Sequence, residues 1–239
     1  MTDLIGGIGL THLKVYDQRP GPDGETAGCP HVHALTDEAY YGLSGTGAID
    51  LHDPDTGYRR VPLQPGAFVQ FPPGTLHRSV SFDGLEVLAI MGNSGLAERG
   101  DARIYFGPAV DDDPAEYTRL RNLSARGLDG ALERRDAACH AHMALMEMWR
   151  TDRDAYAAEL RRFSDRHRAD LAPLHDALSA VLAAGPEMQA AYSRQRLEAL
   201  PGALGETPPV VAAMAGQGGT LFGMCGLLRQ VDPDGEAPL

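Results

Sequence analysis

The chain has 239 residues, of which 43% are hydrophobic and 23% are charged, a composition ordinary for a globular protein with a buried core. Its net charge of -12 excludes the basic footprint that nucleic acids require and disfavours an anionic membrane surface, so we predict neither partner. Its cysteines (Cys29, Cys139 and Cys225) are scattered, and residues 1–14 do not resemble a signal peptide, which predicts a cytoplasmic location.

The first part of the chain, up to about residue 110, is rich in glycine, proline and β-forming residues. Turn residues such as DPDTG at 53–57, PPG at 72–74 and FDG at 82–84 separate short runs of β-formers. This pattern predicts many short antiparallel strands in a sandwich or a small barrel. The runs are EAYYGLSG, GAIDLHD, RRVPLQ, GAFVQFP, HRSVSF, LEVLAIMG and ARIYFG.

From about residue 113 the hydrophobic pattern lengthens and predicts helices. We expect Thr151 to cap one of them, Pro173 to kink or divide it, and Gly185 with Pro186 to end it. Pro201 to Leu239 is rich in glycine and proline, and the sequence assigns it only loosely. The predicted helices are 115–123, about Asp129 to Trp149, Thr151 to about Ala184, and Glu187 to Leu200.

The stretch GCPHVHALTDEAYYGLSGTG, residues 28–47, contains three good metal ligands. On a β-strand, His31 and His33 point to the same face. The segment ALTD has turn character, and Glu38 then opens the next strand, where its carboxylate can face back toward the two imidazoles. Two histidines and one carboxylate leave coordination positions open, which is typical of a catalytic divalent metal rather than a closed structural site.

A fourth candidate ligand lies in GAFVQFPPGTLH, residues 66–77. His77 follows a proline-rich turn in which Gly74 frees the backbone. A histidine at this position begins a strand and can be turned inward.

Together these two stretches resemble the cupin superfamily over roughly residues 25–107. The first cupin motif reads His-x-His, four residues, Glu, six residues, Gly, and the second reads Gly, five residues, Pro-x-Gly, two residues, His. Both spacings are intact here. Two departures, Glu25 for a usual glycine and Ser81 for a frequent asparagine, affect no metal ligand. The matching residues are His31, His33, Glu38 and Gly45, then Gly66, Pro72, Gly74 and His77.

The resemblance implies that His31, His33, Glu38 and His77 bind one metal inside a β-barrel, commonly Fe, Mn, Ni, Cu, Co or Zn. We therefore predict a mainly β protein with α: a jelly-roll-like cupin β-barrel in residues 1–110, followed by a helical C-terminal region in residues 111–239. That region is expected to pack on the barrel or to form a dimer interface.

Several other residues are candidates for the substrate pocket. Tyr40 shares a face with Glu38, and Gln70 shares one with Phe68, although barrel packing explains both equally well. Arg103 and Tyr105 alternate with apolar residues in ARIYFG. If their face turns inward, Arg103 could bind a substrate carboxylate; otherwise it is an edge or surface residue.

A rival cluster lies in CHAHMALMEMW, residues 139–149. On a helix, His140 and His142 are about 200° apart and cannot bind one ion. Cys139, His142 and two methionines share a face, but that spacing is also the buried stripe of an amphipathic helix, which we favour. The alternative is that this helix caps the barrel mouth and that His142 joins the substrate pocket.

The leading functional hypothesis is an Fe(II)-dependent oxygenase that acts on a small organic molecule. The first alternative is a non-redox isomerase, lyase or decarboxylase, in which the metal is a Lewis acid and Tyr40, His52 or His142 is the base. His52 lies beside a turn and is expected to be solvated. The second alternative is a non-catalytic binding module. We also predict a homodimer, because Tyr41 and Leu43, opposite Glu38, need cover from helices or from a second subunit.

Overall fold

The computed structural model of the chain describes residues 4–200, 202, 210 and 212–232. Strands fill the first part of these residues, helices follow, and two short strands come last, so the fold class is confirmed. None of the described helices combines the length and apolar character needed to cross a bilayer. The strands are β1 (Gly9–Val15), β2 (Thr26–Ala27), β3 (His31–His33), β4 (Glu38–Asp53), β5 (Gly57–Leu63), β6 (Phe68–Phe71), β7 (Leu76–Met91), β8 (Ala102–Ile104), β9 (Leu221–Phe222) and β10 (Gly226–Gln230).

The described strands form one antiparallel sheet, in which β4 and β7 pair along most of their length. Each of these two strands contains two of the predicted short runs, which corrects the sequence-based boundaries. The register of β4 shifts between Gly42 and Ser44 and again at Thr46, so the strand bends at bulges without ending. Gly45 has φ +67°, and a side chain there would collide with the Asp83 carbonyl, so this bend requires glycine.

The barrel core is built from alternate residues of the strands. In β4, Tyr40, Ile49 and Leu51 point inward, and in β7, Leu85 and Val87 do the same. These side chains are almost completely buried. The intervening residues therefore face the outside of the barrel, where a second layer covers part of the sheet.

Among the described residues, six α-helices form the C-terminal helical region. Pro173 divides the predicted third helix, as expected, since a short 3₁₀ turn occupies Ala172–Leu174. The helix that precedes this 3₁₀ turn begins at Arg153. Its N-cap is Asp152 rather than Thr151, because the Asp152 carboxylate accepts the Ala155 N–H. The helices are α1 (Pro108–Asp111), α2 (Pro114–Arg121), α3 (Leu128–Thr151), α4 (Arg153–Leu171), α5 (His175–Ala184) and α6 (Pro186–Glu198).

Helices α3 and α4 cover the outer face of the barrel next to β3 and the start of β7. Val32 and Leu76 of these strands pack with Leu145, Tyr156 and Phe163 of the helices in one buried cluster. Burial of apolar side chains is the main force that attaches helices to a sheet.

A chain of buried polar groups crosses the same interface. The Arg78 guanidinium donates to His142 Nδ1 over 3.1 Å, so His142 must donate its Nε2–H to His52 Nε2, also 3.1 Å away. His52 Nδ1–H then donates to the Tyr156 hydroxyl over 3.0 Å. Both imidazoles are neutral in this arrangement. His52 is only 1% exposed, because α3 and α4 cover it, which corrects the expectation that it is solvated.

The C-terminal part of the described chain returns to the barrel. Strand β10 pairs with β1, and β9 pairs with β10, so they extend the sheet beyond the first 110 residues. The sequence assigned this segment only loosely, and its described part adds two strands to the sheet. Arg134 of α3 donates to the carbonyls of Phe222 and Gly223, and the Tyr16 hydroxyl donates to the Gly223 carbonyl, which holds the β9–β10 hairpin in place.

The outer face near the start of β4 is not covered by the described helices. Tyr41 and Leu43 are each 43% exposed, and Phe68 on the neighbouring β6 is 59% exposed. The described helices therefore do not bury Tyr41 and Leu43, for which the sequence analysis expects cover from helices or from a second subunit.

The neutral His52–His142 pair predicts a loss of stability in acid. Burial, helped by Arg78, lowers the pKa of His52 to about 4 and that of His142 well below its usual value. Below the ordinary histidine pKa of 6.5 the unfolded chain takes up protons that the folded chain does not, so the free energy of unfolding falls as pH falls from about 6.5 toward 4. Each histidine contributes a slope of about 1.4 kcal/mol per pH unit in that window.

The variant His142→Gln retains an acceptor for Arg78 and a donor for His52 but cannot be protonated. Urea unfolding of chelator-treated protein at a series of pH values should give a shallower acid slope for this variant than for the parent. The exposed His140→Gln variant is the matched control and should keep the parent slope. Equal slopes for the parent and His142→Gln would contradict the neutral-pair assignment.

Candidate metal centre

Three strands and one tight turn bring the four predicted ligands together. His31 and His33 project from β3, and His31 lies directly opposite His77 of β7 in the antiparallel register. Glu38 is the first residue of β4. Gly74, with φ +83°, donates its N–H to the His33 carbonyl over 2.8 Å, which brings the turn before His77 against β3.

Each histidine donates its Nδ1–H to a fixed oxygen. His31 donates to the Cys29 carbonyl over 2.9 Å, and His77 donates to the Thr75 carbonyl over 3.1 Å. His33 donates to the Asp101 carboxylate over 3.2 Å. A backbone carbonyl can only accept, so for His31 and His77 the neutral tautomer is fixed, with a lone pair on Nε2. Such partners are the usual supports of metal-binding histidines.

The remaining ligand atoms converge on one point. One atom each of His31, His33, Glu38 and His77 lies within 4.8 Å of the others, and all four residues are buried. His77 Nε2 and Glu38 Oε2 are 3.0 Å apart, yet neither atom has a hydrogen-bond partner. A cation bound by both atoms would satisfy this lone pair and this carboxylate oxygen, so these residues fit a divalent metal.

The electrostatics of the cluster suit a metal. Burial alone would raise the pKa of Glu38, but positive charge at His77, His33 and His31 lowers it to about 2. A divalent metal would supply that positive charge while the imidazoles stay neutral. Burial and the neighbouring imidazoles of His77 and His33 lower the pKa of His31 well below its usual value, which keeps that imidazole neutral. For His33, burial lowers the pKa, but the hydrogen bond to Asp101 and the charges of Glu38, Asp101 and Glu98 together outweigh burial and raise it.

A cavity of about 300 Å³ opens onto this cluster. His31, His33 and Glu38 form one side of it, while Leu13, Ala89 and Met91 of the sheet form another. The β9–β10 hairpin supplies most of the opposite wall. Its contributing residues are Leu221, Phe222, Gly223, Met224, Cys225, Leu228 and Gln230.

Tyr40 lies close to this centre. Its hydroxyl donates to Cys225 Sγ over 3.6 Å, and Cys225 Sγ is 3.5 Å from His31 Nε2 and lines the cavity. Burial raises the pKa of Tyr40 well above its usual range, so the hydroxyl stays protonated. A catalytic role for Tyr40 therefore remains a prediction. Its hydroxyl is a hydrogen-bond donor, and it is connected to the cavity through Cys225.

The other predicted pocket residues lie elsewhere. Gln70 is exposed on the outside of β6, because its neighbour Phe71 packs into the barrel core. Arg103 pairs with Val32, which lies between two inward-facing ligands, so Arg103 and Tyr105 face the helices. These positions correct the prediction that Gln70, Arg103 and Tyr105 line the substrate pocket.

Arg103 and Tyr105 instead join the barrel to the helical region. Arg103 donates to Asp170 of α4 over 2.5 Å and lies 4.1 Å from the ring centre of Tyr117. The Tyr105 hydroxyl donates to Glu159 over 3.0 Å. His142 is likewise on the outer side of the barrel, bound to Arg78 and His52, in the buried helical stripe that we favour and away from the cavity that the alternative requires.

Sequence reasoning missed three residues of the centre: Asp101, which orients His33; Glu98, at the cavity rim; and Cys225, beside His31. None of them belongs to a motif of fixed spacing. Asp101 is 68 residues from His33, and Cys225 is 194 residues from His31, so only the folded chain brings them together.

The fold and the four side chains define a β-barrel with a buried cluster that could hold a metal ion. Residues 19–91 match the family model described as "Cupin domain", in agreement with the cupin resemblance predicted for the barrel segment. The glucose-6-phosphate isomerase of Sinorhizobium medicae is 31% identical over 111 residues, which are 42% of this chain and 50% of that protein. The glucose-6-phosphate isomerase of Thermococcus onnurineus is 40% identical over 53 residues, 21% of this chain and 28% of that protein. The chain thus spans half or less of these relatives.

Solved structures with partial similarity include an oxalate decarboxylase from Bacillus subtilis, which is 15% identical with a TM-score of 0.36 and covers 50% of this chain and 28% of that chain. A cupin-2 domain containing protein from Shewanella frigidimarina is 23% identical with a TM-score of 0.29, covering 36% of this chain and 72% of that chain.

The Asp101 carboxylate should strengthen metal binding through His33. Its other oxygen accepts the Leu35 N–H over 2.6 Å, so the group is fixed from both sides. In Asp101→Asn the shape remains but the charge is lost, and we expect metal affinity to fall by about 10–100-fold. Competition with a chelator of known affinity measures this change. The exposed Asp55→Asn variant is the control, and an unchanged affinity in Asp101→Asn would show that the contact is only structural.

Proposed function

We propose that the chain is a metal-dependent cupin enzyme acting on a small organic molecule, with Fe(II) as the metal and oxygenase chemistry as the reaction. The observation that carries this proposal is the convergence of three imidazole nitrogens and one carboxylate at the side of a 300 Å³ cavity. When bound in such a site, Fe(II) supplies redox chemistry toward O₂ and a neighbouring substrate.

The residues of the chain have separate tasks in this proposal. His31, His33, His77 and Glu38 hold the metal, and the oxygens of Cys29, Thr75 and Asp101 fix the three imidazole rings. The largely apolar cavity wall excludes water from the reacting groups, which strengthens electrostatic interactions there. The Tyr40 hydroxyl and the Cys225 thiol are the neutral hydrogen-bonding groups next to His31.

The positions of the other histidines favour oxygenase chemistry over a mechanism in which a histidine is the separate base. His52 and His142, the candidate bases, lie outside the barrel and are bound to each other. Among the described residues that line the cavity, each imidazole belongs to the ligand set. Proton abstraction from a substrate by an uncoordinated imidazole is therefore not available there.

The second candidate is a non-redox isomerase, lyase or decarboxylase. It is supported by the names of the partial relatives from Sinorhizobium medicae and Thermococcus onnurineus, both glucose-6-phosphate isomerases. In this case Glu98, the carboxylate at the cavity rim that is not a ligand, is the group that could move a proton.

We also propose a cytoplasmic homodimer. The described cysteines are all free and buried, in keeping with a reducing compartment. The exposed apolar side chains of Tyr41, Leu43 and Phe68 would be covered by a second subunit, and light scattering measures the mass in solution.

Oxygen consumption distinguishes the two reactions. Protein loaded anaerobically with Fe(II) should consume O₂ when a substrate from a library of small organic molecules is added, and protein loaded with Zn(II) should not. The control is the His33→Ala variant treated in the same way, which should consume no O₂ above the rate of free Fe(II). Substrate turnover that proceeds equally with Zn(II) and without O₂ would contradict the oxygenase and support the non-redox reaction.

A further inference from the structure

The cavity at the metal centre has an unusual distribution of charge. Among the described residues that line it, none is Lys or Arg. The acidic ones are Glu38, which belongs to the ligand set, and Glu98, which lies at the rim and is exposed. The described lining therefore carries negative charge and no Lys or Arg side chain. A bound metal would be the source of positive charge there.

The rest of the lining is mostly apolar. Leu13, Met91, Phe222, Met224 and Leu228 contribute side chains to it. Thr11 and Gln230 add uncharged polar groups at one side, and Gln230 Nε2 donates to Glu98 over 3.2 Å. Glu98 is thus held at the rim, close enough to His33 for its charge to act on that imidazole.

The charge balance limits what the cavity can bind. A divalent metal and the Glu38 carboxylate together carry one positive charge, which one anionic oxygen of a substrate can neutralise. A phosphate or a second carboxylate would lie among apolar side chains near Glu98, without a counterion. Burial of an unpaired charge is costly, and repulsion by Glu98 adds to the cost.

We propose that the substrate is a compact, largely apolar molecule with one metal-binding oxygen group and a neutral or cationic remainder, and that Glu98 determines specificity for that remainder. The proposal rests on metal binding at the centre but not on the reaction type. The proposal excludes a sugar phosphate, the kind of substrate that the names of the partial relatives indicate. The phosphate is a dianion, and the described lining of this cavity offers it no cationic side chain.

The test uses three probes that bind metals through the same group and differ in the charge of the remainder. They are benzohydroxamate, its para-carboxy derivative and its para-aminomethyl derivative. Full-length protein loaded with Co(II) is titrated with each probe, and the visible absorption of Co(II) reports binding. We expect the neutral and cationic probes to bind at least about tenfold more tightly than the anionic one, as one nearby charge predicts.

Variants at Glu98 assign the effect to this residue. In Glu98→Gln the preference for the cationic over the anionic probe should fall by about tenfold, and in Glu98→Lys it should reverse. Glu147→Lys makes the same change of net charge at an exposed position on α3 and should keep the parent preference.

Two results would overturn the substrate class. One is a para-carboxy probe, or glucose 6-phosphate, that binds the Co(II)-loaded parent as tightly as the neutral probe. The other is Co(II)-loaded protein that binds none of the probes. Cobalt content is measured on the same samples, so a chain that holds no metal is recognised separately and contradicts the proposed function itself.

Discussion

The structure depends on the orientation of three imidazole rings. Fixed acceptors on the Nδ1 side of His31, His33 and His77 turn the three Nε2 atoms toward Glu38. Without a cation, this arrangement places a carboxylate oxygen 3.0 Å from an imidazole nitrogen with no hydrogen bond between them. A bound metal would remove this cost and would couple the stability of the barrel to the ion.

The surrounding fold keeps these groups in register. His31 and His77 face each other across β3 and β7, and the next residue of β7, Arg78, points outward to His142 of α3. The described helices therefore pack on the strand that carries one candidate ligand, although none of these helices contributes a residue to the cluster. On the other side, the β9–β10 hairpin closes the cavity with apolar residues and brings Cys225 next to His31.

The ligands and the main architecture could be predicted from the sequence, because local spacing determines them. The His-x-His pair, Glu38 and His77 follow from strand alternation and from two intact motifs, and Pro173 divides the helices where expected. The direction of Arg103 and Tyr105 could not be predicted, since a shift of one residue reverses the face of a strand. Asp101 and Cys225 join the centre through contacts between distant parts of the chain, for which sequence spacing gives no signal.

Elemental analysis of the tag-free protein and of the His31→Ala/His33→Ala double variant measures whether these four residues bind a metal. We expect about one equivalent of a divalent metal in the parent and its loss in the double variant, since four ligands around one ion then become two. The exposed His140→Ala variant should retain the metal. Metal retained in the double variant, or lost in His140→Ala, would contradict the site, and its absence from the parent after reconstitution would contradict a metal-dependent function.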